Sequence, residues 1–235
     1  MQRDELSEAF ARLSTPLVCD ACLRLGRKFR LAPMEMRPLI SGQKIAGRVL
    51  PARHYGSVDI FLEAMLNARQ GDVLVIDNGG RTDEACIGDL TALEARASGL
   101  AGMVVWGCHR DSKDLMEIGF PVFSLGACLA GPQRLDAAEP EALTTARMTG
   151  FVVSKEDTVF ADDDGVFFVS NRDVDKVLSA AEAISDSERR QAAAVKNGKK
   201  LIEQFEFERY LSKRSSDPTY TFRKHLRGIG GAIEE

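Results

Sequence analysis

In residues 4–13 the apolar positions Leu6, Ala9, Phe10 and Leu13 recur every three or four residues, which predicts a short amphipathic helix. Ser14-Thr15-Pro16 then offers an N-cap and a proline just inside a second helix, whose apolar positions Val18, Ala21, Cys22 and Leu25 stop at Gly26. The period changes further on: 44–50 (KIAGRVL) reads as a strand, 58–69 as a helix, and 72–77 (DVLVID) as a buried strand entered from the Gln70-Gly71 turn. A Gly-containing loop over 78–87 leads to Gly88-Asp89, which open a helix to about 98. The apolar strand 102–106 follows, then GCHRD (107–111), a helix over 112–118 and the strand PVFSL. This strand-helix alternation predicts a partly parallel sheet with right-handed crossovers. Sites in such sheets gather at the carboxyl ends of strands, here 77–89 and 107–111. From about 146 short apolar runs at 151–153, 159–160 and 166–169, with a turn at Asp164-Gly165, predict antiparallel strands. A long charged helix over 174–207, broken at Asn197-Gly198, and a tail expected to dock on a neighbouring surface or stay mobile complete the chain.

Composition narrows the class. The 235 residues, 44% hydrophobic and 28% charged, make one to one and a half ordinary domains with a core large enough to fold without metal or disulfides. Lys and Arg number 31 against 35 Asp and Glu, a net charge of -4 with no basic half, which disfavours phosphate-neutralising nucleic-acid binding. No apolar window is long enough for a membrane helix, and the N-terminus lacks a signal-peptide pattern, so the expectation is a cytoplasmic protein. Five scattered cysteines are read as reduced thiols. Cys19 and Cys22 form a C-x-x-C inside a helical pattern and are read as structural, not as a redox pair.

Asp89, Arg110 and Asp111 are the main chemical candidates. Asp89 opens a helix, where free N–H groups and the macrodipole favour an anion. Carboxylates suit a hard cation such as Mg2+ or Mn2+, and an adjacent guanidinium suits a substrate carboxylate or enolate. Read structurally, the same residues are an N-cap and a solvated loop pair. Asp162-Asp163-Asp164 before Gly165 is read as a turn, not a metal site. His54-Tyr55-Gly56-Ser57 follows a strand and is a further candidate lining of the cleft. No Lys lies in 77–111, which weighs against Schiff-base chemistry. A nucleotide-like cofactor would want a glycine-rich loop after the first strand, and none is present.

The stretch GDLTALEARASGLAGMVVWGCHRD (88–111) resembles the signature of the class II 4-hydroxy-4-methyl-2-oxoglutarate aldolases, which share a fold with the regulator of ribonuclease activity A: an Asp, twenty intervening residues, then Arg-Asp. DACLRLG at 20–26, QGDVLVID, GFPVF and ADDDGV agree, so the resemblance covers roughly 14–180. It implies an α/β, mixed-sheet β/β/α swivelling-domain-like fold with a C-terminal helical extension, divided as a catalytic domain over 1–175 and an extension and tail over 176–235. It implies that backbone amides of Gly88, Asp89, Leu90 and Thr91 hold the pyruvyl part of the substrate and that Arg110 stabilises the enolate oxygen. Asp111 would bind the divalent metal, and Asp89 would hold metal-bound water as acid or base. The implied reaction is retro-aldol cleavage of a 4-hydroxy-2-oxo acid to pyruvate, with oxaloacetate decarboxylation through the same enolate. A homotrimer or dimer of trimers with interfacial sites is implied too, with Glu203, Glu206, Glu234 and Glu235 as candidate donors across the interface or as a solvated face. The rival is a non-catalytic protein-interaction regulator on the same fold. Two departures from the family pattern are His109, expected as a loop side chain or an extra pocket ligand, and Trp106, expected to reshape the pocket.

Overall fold

The computed structural model describes residues 3–230. Helices α1 (Arg3–Ala11) and α2 (Thr15–Arg24) precede the short strands β1 (Phe29–Leu31) and β2 (Arg37–Pro38). Then β3 (Ile45–Arg53), α3 (Asp59–Leu66), β4 (Val73–Ile87), α4 (Asp89–Ala97), β5 (Gly102–His109), α5 (Ser112–Ile118) and β6 (Val122–Ser124) alternate. The four strands β7 (Thr145–Met148), β8 (Phe151–Ser154), β9 (Asp157–Asp162) and β10 (Gly165–Ser170) follow, and helices α6 (Val174–Lys196), α7 (Leu201–Gln204), α8 (Phe207–Ser216) and α9 (Phe222–Ile229) end the described chain.

The main sheet runs β1-β10-β9-β3-β4-β5-β6-β2, with β3 to β6 parallel and the flanking pairs antiparallel. Its central strands are apolar throughout because both faces are covered. On one face Leu74, Ile76, Met103 and Val105 pack against Phe61, Met65, Ala92, Ala95 and Leu115 of α3, α4 and α5. On the other, Val73, Val75 and Val104 meet Ala146, Met148 and Val153 of the β7–β8 hairpin, which makes the second β layer. Beside this, α1, α2 and α6 bury Phe10, Val18, Cys22, Val177 and Leu178 against Phe160 and Phe167 of β9 and β10. The expected mixed-sheet β/β/α architecture with C-terminal helices is the observed one.

Three details differ from the sequence reading. Residues 78–87, expected as a loop, continue β4: Gly79 and Gly80 turn the chain at φ +66° and +69°, and pairing with β5 resumes through successive register shifts at Arg81, Ala85 and Ile87. The strands β1 and β2 are too short to give a periodic signal. The tail is ordered through α9, where Phe205, Phe207, Tyr210, Phe222 and His225 form an aromatic cluster. Two structural readings hold. Asp162 is buried and accepts from Thr15 N (2.7 Å) and Thr15 Oγ1 (2.6 Å), while Asp163 accepts from Gly42 N, so the acidic run ties α2 and the 41–42 turn to the β9–β10 connection. Cys22 lies wholly buried, its thiol pushed up to about 12 by desolvation, then by Cys19 and Asp173, which makes a poor nucleophile.

Candidate functional site

Three neighbouring parallel strands, β3, β4 and β5, hand over to α3, α4 and α5 at one edge of the sheet. A cleft of about 960 Å³ lies there. Gly88, Asp89, Leu90, Thr91, Arg110 and Asp111 all line it, so the residues singled out in the sequence converge on one surface. Their spacing has a plain cause: one helix and one strand separate the ends of adjacent parallel strands, and the Arg110 N–H donates to Ile87 O at 3.0 Å, joining the two ends directly.

Gly88 is the extended N-cap of α4, and the first intrahelical bond runs from Ala92 N to Gly88 O. The amides of Asp89, Leu90 and Thr91 therefore have no helical acceptor and are free to hold an anion. A Cβ on Gly88 would collide with Asp111 Oδ2, so only glycine lets the helix terminus and this carboxylate approach so closely. Arg110 Nη1 passes 2.9 Å from where a Cβ on Gly131 would stand, and Arg110 Nε lies 3.4 Å from Asp111 Oδ2. Asp111 caps α5 in the left-handed region (φ 57°, ψ 39°), a conformation that Asp tolerates better than most residues. The result is a cationic fork, an oxygen ligand and a helix N-terminus facing one open space.

Among the described residues no three His, Cys, Asp or Glu side chains converge as a closed metal cage. The donor set nonetheless fits Mg2+ or Mn2+, which are held by one or two carboxylates and fill the remaining positions with water and substrate oxygens. Asp111 offers such a carboxylate, partly exposed in the cleft and, among the described residues, ion-paired only with Arg110.

The cleft wall contains groups that the sequence singled out only in part. His54 lines it, while Tyr55 bonds Asp59 at 2.5 Å and packs on the core. His54 Nδ1 lies 2.8 Å from Asn78 Oδ1, its ring stacks on Phe61, and its pKa is lowered, chiefly by burial. Asn78 Oδ1 also accepts from Arg134 Nη2 at 3.0 Å, and Arg134 is in turn gripped by buried Glu84 at 2.9 and 3.1 Å and by Asp136. Nothing local in the sequence signals Arg134, which sits in an irregular Gly- and Pro-containing segment. Val58, Leu62 and Leu93 supply the apolar part of the wall.

His109 does not reach the cleft. It ends β5 buried, with Nδ1 2.8 Å from Ser124 Oγ and Nε2 3.0 Å from Ser112 Oγ. Trp106 lies on the opposite face of the sheet, over Gly80 and against the second β layer, so it does not shape the cleft as the resemblance suggested. Glu203 lies on α7 and Glu206 caps α8, neither in the lining, and Glu234 and Glu235 lie outside the described residues.

A cleft at the carboxyl ends of parallel strands, in a sheet covered by helices on one face and a hairpin on the other, defines an α/β protein whose cleft presents a helix N-terminus, an arginine and a carboxylate. The chain belongs to the RraA-like family (Aldolase/RraA), whose model matches residues 15–168. It is 29% identical over 181 residues to Protein DlpA of Legionella pneumophila, an alignment covering 72% of this chain and 28% of that protein. It is 35% identical over 100 residues to a Halorhodospira halophila protein named "Putative 4-hydroxy-4-methyl-2-oxoglutarate aldolase", covering 43% of this chain and 60% of the relative. Among solved structures, Streptomyces coelicolor RraAS2, described as an unusual member of the RNase ES inhibitor RraA protein family, superposes with a TM-score of 0.66 at 25% identity, covering 80% of this chain and 97% of the other. Among the described residues no helix is long and apolar enough to cross a membrane.

Proposed function

We propose that this chain is a class II, divalent-metal-dependent aldolase that cleaves a 4-hydroxy-2-oxo acid, of the 4-hydroxy-4-methyl-2-oxoglutarate or 4-carboxy-4-hydroxy-2-oxoadipate type, and releases pyruvate. The observation that carries it is the convergence of the α4 N-terminus, Arg110 and the Asp111 carboxylate, with Gly88 making room for their contact. The aldolase-named relative supports the same reading. The free amides of Asp89, Leu90 and Thr91 bind the substrate's 1-carboxylate, as helix N-termini bind anions. Arg110 takes the developing negative charge on the former keto oxygen, a permanently charged donor aimed where charge appears in the transition state. Asp111 would hold Mg2+ or Mn2+, which would polarise that oxygen as a Lewis acid. Asp89, which lines the cleft, acts as the site's acid or base, including for the proton that C3 gains as the enolate becomes pyruvate. The same enolate arises from oxaloacetate by loss of carbon dioxide, so decarboxylation is a second expected activity. The protein acts on a small-molecule oxo acid, without nucleic acid or membrane, as a homotrimer or dimer of trimers.

A protein-interaction role is the second reading, favoured by the likeness to a chain described as belonging to an RNase inhibitor family. Purified protein with Mg2+ and either 4-hydroxy-4-methyl-2-oxoglutarate or oxaloacetate decides between them. Pyruvate release that stops on chelation is expected. No pyruvate from either compound overturns the enzyme reading.

A further inference from the structure

The cleft is longer than a pyruvyl unit needs. Its lining follows α4 from Asp89 in the first turn to Ala97 in the last, about 12 Å at 1.5 Å per residue, whereas the free amides, Arg110 and Asp111 all gather at the N-terminal end. The volume of about 960 Å³ lies at the upper end of the range that encloses drug-sized ligands. Hydrocarbon dominates the remaining length. Val58 at the N-cap of α3 and Leu62 one turn on share the lining with Leu93 and Ala97, themselves one turn apart on α4. Val58, Leu62 and Leu93 are 49%, 47% and 38% exposed, so these side chains are not used up by the core beneath them and stay open to a ligand.

Cations are scarce along the same wall. Among the described residues the lining holds the guanidiniums of Arg96 and Arg110 against the carboxylates of Asp89, Glu94 and Asp111. Arg110 serves the developing oxyanion in the reading above, and Arg96 Nη1 donates to Ile118 O, at the end of α5, at 3.1 Å. Burial lowers the His54 pKa, which keeps that ring neutral. A second carboxylate, carried on C4 of the substrate, would therefore exchange water for an apolar wall with no uncommitted cation to meet it, an unfavourable transfer. An aliphatic group of the same shape would be favoured there by its own removal from water.

We propose that the groove along α4 is the subsite for the C4 substituent and that it selects hydrocarbon: the chain prefers 4-hydroxy-2-oxo acids with an aliphatic group at C4 over those with a carboxymethyl group, and Val58, Leu62 and Leu93 set the preference. The assignment rests on the aldolase reading and deepens it by naming the other half of the substrate. Cleavage then yields pyruvate and an aliphatic aldehyde. The C3–C4 pair becomes the enolate, the hydroxyl oxygen becomes the aldehyde carbonyl as its proton leaves to the site's acid or base, and C3 takes up a proton, so nothing is oxidised or reduced. Dicarboxylates are cleaved by the same groups with a weaker hold on their distal half. A neighbouring copy laid over the rim would roof the groove and dry it, which strengthens the same preference.

Two compounds of matched shape isolate the charge: 4-hydroxy-6-methyl-2-oxoheptanoate carries isobutyl at C4 where 4-hydroxy-2-oxoadipate carries carboxymethyl. With Mg2+ present, kcat/KM for pyruvate release is expected to favour the isobutyl compound by at least about 10-fold. Leu62→Lys, at a half-exposed position, sets a cation in the groove and is expected to invert that ratio, a change that general damage to the protein, slowing both reactions, would not produce. Calorimetric titration with straight-chain 2-oxo acids, from 2-oxobutanoate to 2-oxooctanoate, reads the groove without turnover, since they have no C4 hydroxyl to cleave. Affinity should rise about two- to fourfold per methylene. A wild-type preference for the dicarboxylate, or an affinity that is flat along the series, would overturn the subsite and leave the aldolase reading standing. Rising affinity with no pyruvate from any hydroxy-oxo acid or from oxaloacetate would overturn the aldolase reading and support the hydrocarbon groove by itself.

Discussion

Gly88 and Asp111 show how single residues decide the site. Because a Cβ at Gly88 would meet Asp111 Oδ2, Gly88→Ala must push the carboxylate out of the cleft or shift the α4 terminus. Pyruvate release is expected to fall at least about 100-fold, the scale reached when one electrostatic contact to the developing charge is lost. Asp111→Asn separates charge from shape: asparagine accepts the left-handed backbone at φ 57° as readily as aspartate, so the thermal midpoint should move by no more than about 2 °C. Activity and its dependence on Mg2+ should disappear, and an Asn variant that keeps both would remove Asp111 from the proposed metal role. His109 makes a pH prediction. Burial lowers its pKa below the ordinary 6.5, so between the folded and unfolded values the unfolded chain binds more protons. Its contribution is complete above the unfolded value and drains away as pH falls through the folded one, and His54, also lowered, adds a component of the same sign. Urea midpoints taken at about pH 7.5 and about pH 5 should drop in the wild type, and drop less in His109→Gln.

Elements differ in how legibly the chain encodes them. Strands buried on both faces, such as Val73 to Asp77 and Gly102 to Trp106, are continuous apolar runs bounded by turn residues, and a reader of the sequence finds them without ambiguity. The handover points follow from them, which is why Gly88-Asp89 and Arg110-Asp111 stand out as a pair. The far half of β4 is illegible for the opposite reason: Asn78-Gly79-Gly80-Arg81-Thr82-Asp83 is polar and glycine-bearing, and its pairing with β5 depends on tertiary register, not on period. Equally illegible is the brace behind His54, since Arg134 comes from 50 residues beyond Glu84 and 56 beyond Asn78. The bend in β4 is testable at Gly80, where φ is +69° and a Cβ would strike the Trp106 ring. Gly80→Ala is expected to cost about 1–3 kcal/mol in urea unfolding, from backbone strain and displaced packing together. A change below about 0.5 kcal/mol would mean that the glycine-bearing bend is not fixed by its backbone.

At the scale of the whole molecule the C-terminal helices stand apart from the three cores. Phe205, Tyr210 and Leu226 are buried, yet none belongs to the clusters that unite the sheet with its covering layers. They are held instead by their own ring contacts, by His225 Nε2 lying 2.7 Å from Phe205 O, and by Lys213, Arg214 and Lys224 over Tyr220 and Tyr210. The first half of α6 is different, since Val177, Leu178, Ala181 and Ile184 complete the core against α2. Val58, Leu62 and Leu90 around the cleft are exposed apolar side chains of the kind that a neighbouring copy would cover. If α7 to α9 hold copies together, cutting the chain after Gly198 should leave the cores intact and the thermal midpoint within about 5 °C, because none of the three clusters loses a residue. The mass seen by light scattering should fall from that of a trimer or hexamer, and pyruvate release should fall with it where the cleft is completed by a neighbour. Truncated protein that keeps both the parent mass and the parent activity would show that the aromatic arm serves neither assembly nor the cleft.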